Sequence, residues 1–141
     1  MNRQALLKRL FGVLSEDQLL HRAEDLKPYE CDALSAYHCL PLAVAIPDEE
    51  AQVKAILALC HAEGVPVVAR GAGTGLSGGS LPHEDGILLS LARFNRTLSV
   101  DPEGMTAVVQ PGVRNLAISE AVQEHGLYYA PDPSSQIACS I

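Results

Sequence analysis

The chain has 141 residues, 48% of them hydrophobic and 19% charged, which suits about one folded domain with one core. Its net charge of −7 argues against nucleic acid as a partner, because proteins that bind nucleic acid present a basic surface. No apolar stretch approaches the roughly 18 residues needed to span a bilayer, and Lys8-Arg9 interrupts the only apolar run of a would-be signal peptide. The four cysteines have no metal-site spacing, so we expect free thiols in a cytoplasmic protein.

The amino-terminal segment is predicted to be helical. Residues 3–14 carry apolar side chains at helical spacing, at Leu7, Leu10, Phe11 and Leu14. Because this helix is short and weakly charged, packing on its own protein or on a partner is favoured over binding to a membrane surface. The run Ser15-Glu-Asp-Gln18 has the form of a capping box and predicts the start of a second helix, which Lys27-Pro28 would end.

The next stretch predicts a βαβ unit. Residues 42–46 form an unbroken apolar run between two prolines, typical of a strand buried on both faces. A helix follows over residues 48–63, with Asp48 as its N-cap and Gly64 where a helix-ending glycine belongs. Residues 65–69 form the second strand, so the two strands are expected to be parallel and joined by a right-handed crossover.

A glycine-rich loop leaves the carboxyl end of the second strand, the edge at which open α/β sheets bind ligands. Between Arg70 and Ser80, glycine occupies positions 71, 73, 75, 78 and 79. Glycine is costly to order, so such a run indicates that a ligand, often a phosphate, must approach bare main-chain N–H groups. A purely structural loop is the alternative that this stretch leaves open.

Two better-known phosphate motifs do not fit this loop. Gly73-Thr-Gly75-Leu-Ser-Gly78 matches the pattern GxGxxG, but Gly79 and Pro82 stand where the helix of a Rossmann unit should run. The Walker A pattern fails because no lysine follows the glycines. The loop is therefore expected to bind through main-chain N–H groups in a coil between two strands. Arg70 is the nearest fixed positive charge, although it could equally pair with a structural carboxylate.

An antiparallel pair of strands is predicted after the loop. Residues 86–91 form a further strand, and residues 97–101 and 105–110 flank Asp101-Pro-Glu-Gly104. Asp, Pro and Gly stand there at the positions that a type I turn favours. The sheet therefore changes character after the glycine-rich loop.

The last part of the chain predicts a helix followed by extended backbone. The helix covers residues 113–125 and is ended by Gly126. Residues 127–135 are expected to be extended, because two prolines restrict their own backbone and that of the preceding residues.

These motifs together resemble the flavin-binding domain of the vanillyl-alcohol-oxidase-type (PCMH-type) flavoproteins. The residues that carry the resemblance are Arg70-Gly-Ala-Gly-Thr-Gly75 with Leu-Ser-Gly-Gly79, Pro131-Asp-Pro-Ser-Ser135, and the stretches 29–37, 109–116 and 128–141. The likeness covers nearly everything from Tyr29 onward. Within this superfamily the chain is most similar to the FAD-linked D subunits of glycolate oxidase and to D-lactate dehydrogenases.

The resemblance implies an α/β (α+β) FAD-binding domain, incomplete in this chain. Its first lobe is the βαβ unit, and its second begins with the antiparallel pair. It divides the chain into a helical segment, residues 1–28, and the FAD-binding domain, residues 29–141, truncated at its C-terminal end. FAD is expected to be held non-covalently, because the glycine-rich loop contains no histidine.

The resemblance also implies which residues contact the cofactor. They are Arg70, Gly71, Ala72, Gly73, Thr74, Gly75, Leu76, Gly78 and Gly79 around the pyrophosphate, Pro111 and Gly112 in a nearby turn, and Pro131, Asp132, Pro133, Ser134, Ser135, Ala138 and Ser140 along the cofactor. No catalytic or metal-binding residue is carried over, because the family's catalytic histidines lie in a region expected beyond Ile141.

The implied activity is oxidation of a short 2-hydroxy acid, glycolate or D-lactate, to the 2-oxo acid. Hydride would pass from the substrate Cα to the flavin, and the electrons would go to an iron–sulfur partner or quinone. The expected partners are sister flavin and iron–sulfur subunits, which would place the protein in the cytoplasm or, through the complex, on the inner face of the cell membrane. The alternative from another class is a nucleotide- or phosphate-binding module without a redox role.

Overall fold

The computed structural model describes residues 2–131 and 133–141, which form two sheets and four α-helices. The strands are β1 (Leu19–Leu20), β2 (Ala43–Ala45), β3 (Val67–Arg70), β4 (Ile87–Ser90), β5 (Thr97–Asp101) and β6 (Thr106–Val109). The helices are α1 (Arg3–Leu10), α2 (Ala23–Leu26), α3 (Glu50–Glu63) and α4 (Asn115–Val122). Short 3₁₀ helices cover Lys27–Tyr29, Gln123–His125 and Pro133–Ser135. No helix in this described part of the chain is long and apolar enough to cross a membrane.

The main sheet has the strand order β1-β2-β4-β3. Strands β2 and β3 are both parallel to β4, which confirms their predicted parallel direction, but β4 lies between them. The two strands of the predicted βαβ unit, β2 and β3, are therefore not neighbours in the sheet, because β4 pairs with both of them. Both β2 and β4 are buried at every position, as the unbroken apolar sequence predicts for β2, while β4 ends in the polar Ser90.

The first helix packs on its own protein. Leu6, Leu10 and Leu14 are buried in the same core as residues of β2, α3 and β4. The helix ends at Leu10 rather than at residue 14, and Phe11 is 39% exposed. The buried face of this helix therefore starts at Leu6, where the sequence predicted Leu7.

The helix predicted to begin at Ser15 does not form in the described residues. Gln18 Oε1 does accept a hydrogen bond from Ser15 N, at 3.1 Å, but this pairing closes a turn. Leu19 then enters β1 and pairs with Ala45, in a strand antiparallel to β2. A helix begins only at Ala23. Burial of Leu19 at the sheet edge therefore outweighs the local capping signal.

Helix α3 begins at Glu50, two residues later than the predicted start at residue 48. Its N-cap is Glu49 rather than Asp48, and Gln52 Oε1 accepts hydrogen bonds from the N–H groups of both, at 3.3 and 3.1 Å. Its end is as predicted, because Gly64 has φ +64 and its N–H reaches back to the last turn.

The predicted hairpin is confirmed, and the last segments differ from prediction in part. Strands β5 and β6 pair antiparallel, and Asp101 Oδ1 accepts from Gly104 N at 3.0 Å in the connecting turn. Helix α4 is shorter than expected and continues as a 3₁₀ turn to Gly126, whose φ is +70. The extended prediction is wrong for Pro133–Ser135, which is helical, since proline's φ near −65° suits a 3₁₀ turn as well as an extended chain.

Candidate cofactor site

The glycine-rich loop connects β3 to β4 without any helix. Residues 71–86 contain turns, bends and irregular coil but no helix, so the helix that a Rossmann unit would need is missing, as predicted. The N–H groups of Gly73, Gly75 and Leu76 donate to no atom of the described residues. Successive unpaired main-chain donors on an exposed loop are what an anion-binding site requires. The loop can therefore bind a phosphate through its backbone.

Arg70 supports this loop from beneath. Its Nη1 donates to the carbonyl oxygen of Cys31 at 2.7 Å, and its guanidinium carbon lies 5.8 Å from the centre of the Tyr29 ring. A Cβ placed on Gly73 would come to 2.5 Å from Arg70 Nε, and Gly73 has φ +71. The Arg70 guanidinium therefore fills the space that a side chain at position 73 would need. Among the described residues its hydrogen-bond partner is a backbone carbonyl and not the carboxylate considered as an alternative.

The carboxyl-terminal segment closes against the start of α4. Asn115 N donates to the Cys139 carbonyl and Leu116 N to that of Gln136, each at 3.0 Å. Ile141 N donates to the Val113 carbonyl at 3.0 Å. The first N–H groups of α4 are thus satisfied by backbone carbonyls and are not available to a ligand.

The loop and this segment meet directly. Ser140 Oγ accepts a hydrogen bond from Ala72 N at 3.0 Å, and Thr74 Oγ1 lies 3.0 Å from Cys139 Sγ. A Cβ on Gly71 would overlap the Ser140 hydroxyl, so this close approach requires glycine. Two motifs that lie far apart in the sequence therefore form one surface.

A cleft of about 650 Å³ opens between them, a size typical of small-molecule sites. The predicted cofactor residues that line it are Gly71, Ala72, Thr74, Gly112, Ala138 and Ser140. The backbone of Gly112 fits tightly into the wall, because its N–H donates to the Phe94 carbonyl at 2.7 Å and a Cβ would lie 2.8 Å from that oxygen.

The other predicted residues lie around the cleft without lining it. Leu76 is 72% exposed, and the outer part of the loop continues through Gly75, Gly78 and Gly79. Pro111 is exposed and precedes the wall residue Gly112. Pro131, Pro133, Ser134 and Ser135 lead into the terminal segment, where the Ser135 carbonyl accepts from Asn115 Nδ2 at 2.7 Å. Asp132 lies outside the described residues.

Sequence reasoning missed five residues that line the cleft: Ala92, Asn95, Arg114, Ala117 and Ile137. Ala92 and Asn95 follow the carboxyl end of β4, and Arg70 pairs with Ser90, so β3 and β4 end side by side. Ligand sites lie at this edge of a parallel sheet, so the pairing of the two strands would have pointed to both residues. Arg114 had no signal beyond its closeness to the Pro111-Gly112 turn.

Within residues 2–131 and 133–141, no group of His, Cys, Asp and Glu side chains is arranged to hold a metal ion. Burial raises the pKa of the Cys60 thiol, and burial followed by the charges of Glu84 and Asp85 raises that of Cys39. Neither cysteine lines the cleft. The cleft instead offers the Arg114 cation and the Thr74 side chain, and beside it lie the loop N–H groups of Gly73, Gly75 and Leu76 that donate to no described atom. These groups fit a dinucleotide with a diphosphate.

The fold and cleft define a nucleotide-binding α/β domain that is not of the Rossmann type. The chain belongs to the FAD binding domain family, whose family model matches residues 41–141. This confirms the predicted flavoprotein family and FAD as its cofactor.

Named relatives refine the place of the chain in that family. It is 64% identical over 124 residues to the glycolate oxidase subunit GlcD of Escherichia coli K12, covering 88% of this chain and 25% of the relative. It is 44% identical over 107 residues to the Bacillus subtilis GlcD, covering 76% and 23% of the two chains. The D-lactate dehydrogenase of Archaeoglobus fulgidus is 38% identical over 95 residues, covering 67% and 21%. The chain thus spans about a quarter of the length of the first of these relatives.

Solved structures agree on the fold. The chain superposes on alkyldihydroxyacetonephosphate synthase with a TM-score of 0.85 at 19% identity, over 99% of this chain and 28% of the other. For p-cresol methylhydroxylase with substrate bound the TM-score is 0.83 at 22% identity, over 96% and 28%. At these identities the likeness supports the predicted PCMH-type fold and nothing finer.

Proposed function

We propose that this chain is the FAD-binding part of a flavoprotein subunit that oxidises a short 2-hydroxy acid, glycolate or D-lactate, to the 2-oxo acid. The observation that carries the proposal is the cleft in which the glycine-rich loop meets the terminal segment at Ala72 and Ser140. The relatives named as glycolate oxidase subunits and D-lactate dehydrogenase support the substrate class.

The residues of the chain would hold and orient the cofactor. The free N–H groups of the loop would bind its diphosphate, and Ala138 and Ser140 would lie along the remainder. The hydrogen bond from Ala72 to Ser140 fixes the distance between these two walls before the ligand arrives, which lowers the entropy cost of binding. FAD, when bound, accepts the electrons of the hydroxy acid. We further propose that it is bound non-covalently.

The expected partners are part of the same proposal. The relatives of highest identity named above are subunits by name, which supports a place in a complex. We propose a second flavin subunit and an iron–sulfur subunit, or quinone, as the route for electrons. The complex would lie in the cytoplasm or on the inner face of the cell membrane.

The direct test is the colour and reactivity of the full-length protein. It should purify yellow, release FAD on denaturation and bleach without oxygen on addition of glycolate or D-lactate, while L-lactate serves as the control substrate. A colourless protein that takes up no FAD would contradict the proposal. Tight binding of ADP without preference for FAD would favour the nucleotide-binding module instead.

A substitution in the loop tests the site itself. A Cβ on Gly75 meets no atom within 4 Å, so Gly75→Val should leave the fold intact and obstruct the ligand. The matched control is Ser77→Val, at an exposed loop position that already carries a Cβ. We expect Gly75→Val to lose FAD and Ser77→Val to keep it, both with an unchanged thermal midpoint. Equal flavin content in the two variants would argue against the loop as the diphosphate site.

A further inference from the structure

Arg114 lines the wall of the cleft, and its guanidinium is available for a further contact. It is the N-cap residue of α4, and its backbone pairs with Ser140 in an isolated antiparallel bridge. The residue is exposed, and its guanidinium has no hydrogen bond or ion pair with any described residue. The backbone bridge fixes where the side chain starts, while the charged end, which pairs with none of the described side chains, can meet a ligand.

The charge of the cleft depends on this residue. Among the described residues that line it, Arg114 is the only charged one, although the whole chain has a net charge of −7. Arg70 is engaged with the Cys31 carbonyl, and the first N–H groups of α4 are capped by backbone carbonyls. Arg114 is therefore the cation that this part of the cleft can offer to an anion.

We propose that Arg114 binds the diphosphate of the cofactor from the wall formed by α4 and the terminal segment, which it shares with Ser140. This inference rests on the proposed function. The loop N–H groups are neutral donors, whereas a guanidinium carries a full charge and a flat fork of donors that matches phosphate oxygens. The cation would also offset the repulsion that an acidic chain exerts on a diphosphate.

The test compares three variants of the full-length, FAD-free protein. Arg114→Gln removes the charge, Arg114→Lys keeps it without the fork, and Arg96→Gln makes the same charge change elsewhere. Arg96 is exposed, does not line the cleft, and bonds to Gln110 Oε1. Affinity for FAD is measured by flavin fluorescence, and affinity for ADP, which carries a diphosphate without flavin, by competition.

We expect Arg114→Gln to weaken FAD and ADP alike by about tenfold, which corresponds to about 1.4 kcal/mol. Arg114→Lys should fall between this variant and the unmodified protein, and Arg96→Gln should stay within about twofold of the latter, because exposed charges at a distance are screened. Raising the salt concentration should weaken FAD binding more in the unmodified protein than in Arg114→Gln. Thermal midpoints should not change, since the side chain has no hydrogen bond or ion pair with a described residue to lose.

Three results would overturn the role of Arg114. These are equal effects of Arg114→Gln and Arg96→Gln, a loss of FAD affinity with ADP affinity unchanged, and FAD binding whose salt dependence is the same with and without the Arg114 charge. In each of these cases the unmodified protein still binds FAD, so the proposed function stands. If the unmodified full-length protein binds neither FAD nor ADP, the proposed function and this inference both fail.

Discussion

The contact between Arg70 and Gly73 gives the sharpest prediction about the loop. Gly73→Ala would push a Cβ into the guanidinium that donates to Cys31, and the residue would keep φ +71. The left-handed backbone costs alanine about 1 kcal/mol. Displacing Arg70 loses a charge-assisted hydrogen bond, worth about 1 kcal/mol at this partly exposed site. It also loses a cation–π contact with Tyr29, worth about 0.5 kcal/mol. We expect Gly73→Ala to destabilise the protein by about 2–3 kcal/mol in all.

A double-mutant cycle isolates the contact. In an Arg70→Ala background the obstruction is gone, so Gly73→Ala should cost only the backbone term of about 1 kcal/mol. The assay is urea unfolding of the FAD-free protein, followed by circular dichroism and compared at constant slope. Gly75→Ala is the control, because its Cβ meets nothing within 4 Å and its cost should be the same in both backgrounds. If the two costs of Gly73→Ala agree within about 0.5 kcal/mol, Arg70 does not occupy the space beneath the loop.

Three further predictions concern packing, thiol reactivity and acid stability. Gly112→Ala should destabilise by about 2–3 kcal/mol, because its Cβ would meet two backbone carbonyls that cannot turn away, while the exposed Pro111→Ala should change the urea midpoint little. Iodoacetamide at pH 8 should leave Cys60 unmodified in the native protein, because burial raises its pKa and leaves it 1% exposed; labelling before unfolding, seen by peptide mass mapping, would contradict this. The pKa of Glu30 is lowered, chiefly by its hydrogen bond from Lys27, so its contribution to stability is full above pH 4.5 and is lost as the pH falls further. Lys27→Met should therefore make the fall of the urea midpoint below pH 4.5 shallower, and an unchanged pH profile would refute this.

The strands β2 and β4 were predictable because runs of apolar residues in the sequence coincide with the positions that are buried in the sheet. The apolar runs of β2 and β4 are bounded by turn residues and are buried at every position. The hairpin was predictable for a local reason, since the Asp101 side chain bonds the Gly104 N–H within the turn itself. Signals contained in a few neighbouring residues are the ones that a sequence reveals.

The helix predicted at Ser15 shows where local signals fail. The hydrogen bond from Ser15 N to Gln18 Oε1 forms as the pattern predicts. The conformation after Gln18 is nevertheless decided by the strand pairing of Leu19 with Ala45 in β2. The placement of β4 between β2 and β3 is likewise set by long-range packing. Side-chain burial against distant residues outweighs the small free energy of a cap.

The two arginines of the site differ for the same kind of reason. From the sequence, Arg70 adjoins the glycines and is the obvious partner for a phosphate, whereas Arg114 adjoins an ordinary helix. In the structure Tyr29 and Cys31 lie beside Arg70, whose Nη1 donates to the Cys31 carbonyl and whose guanidinium carbon lies 5.8 Å from the centre of the Tyr29 ring. The terminal segment meanwhile draws Ser140 to both Arg114 and Ala72. The contact between Ser140 and the loop is therefore the one that places Arg114 in the wall of the cleft.

This gives Ser140 a role that can be tested apart from either arginine. Ser140→Ala removes the acceptor of the Ala72 N–H and should loosen the two walls, weakening FAD binding by about twofold to tenfold, the net worth of one hydrogen bond. The same change makes room for Gly71→Ala, whose Cβ would then meet the Ser140 Cβ at 3.6 Å, an ordinary contact. Gly71→Ala should therefore harm FAD affinity more in the unmodified protein than in Ser140→Ala, and equal losses in the two backgrounds would show that the walls are held together by other contacts.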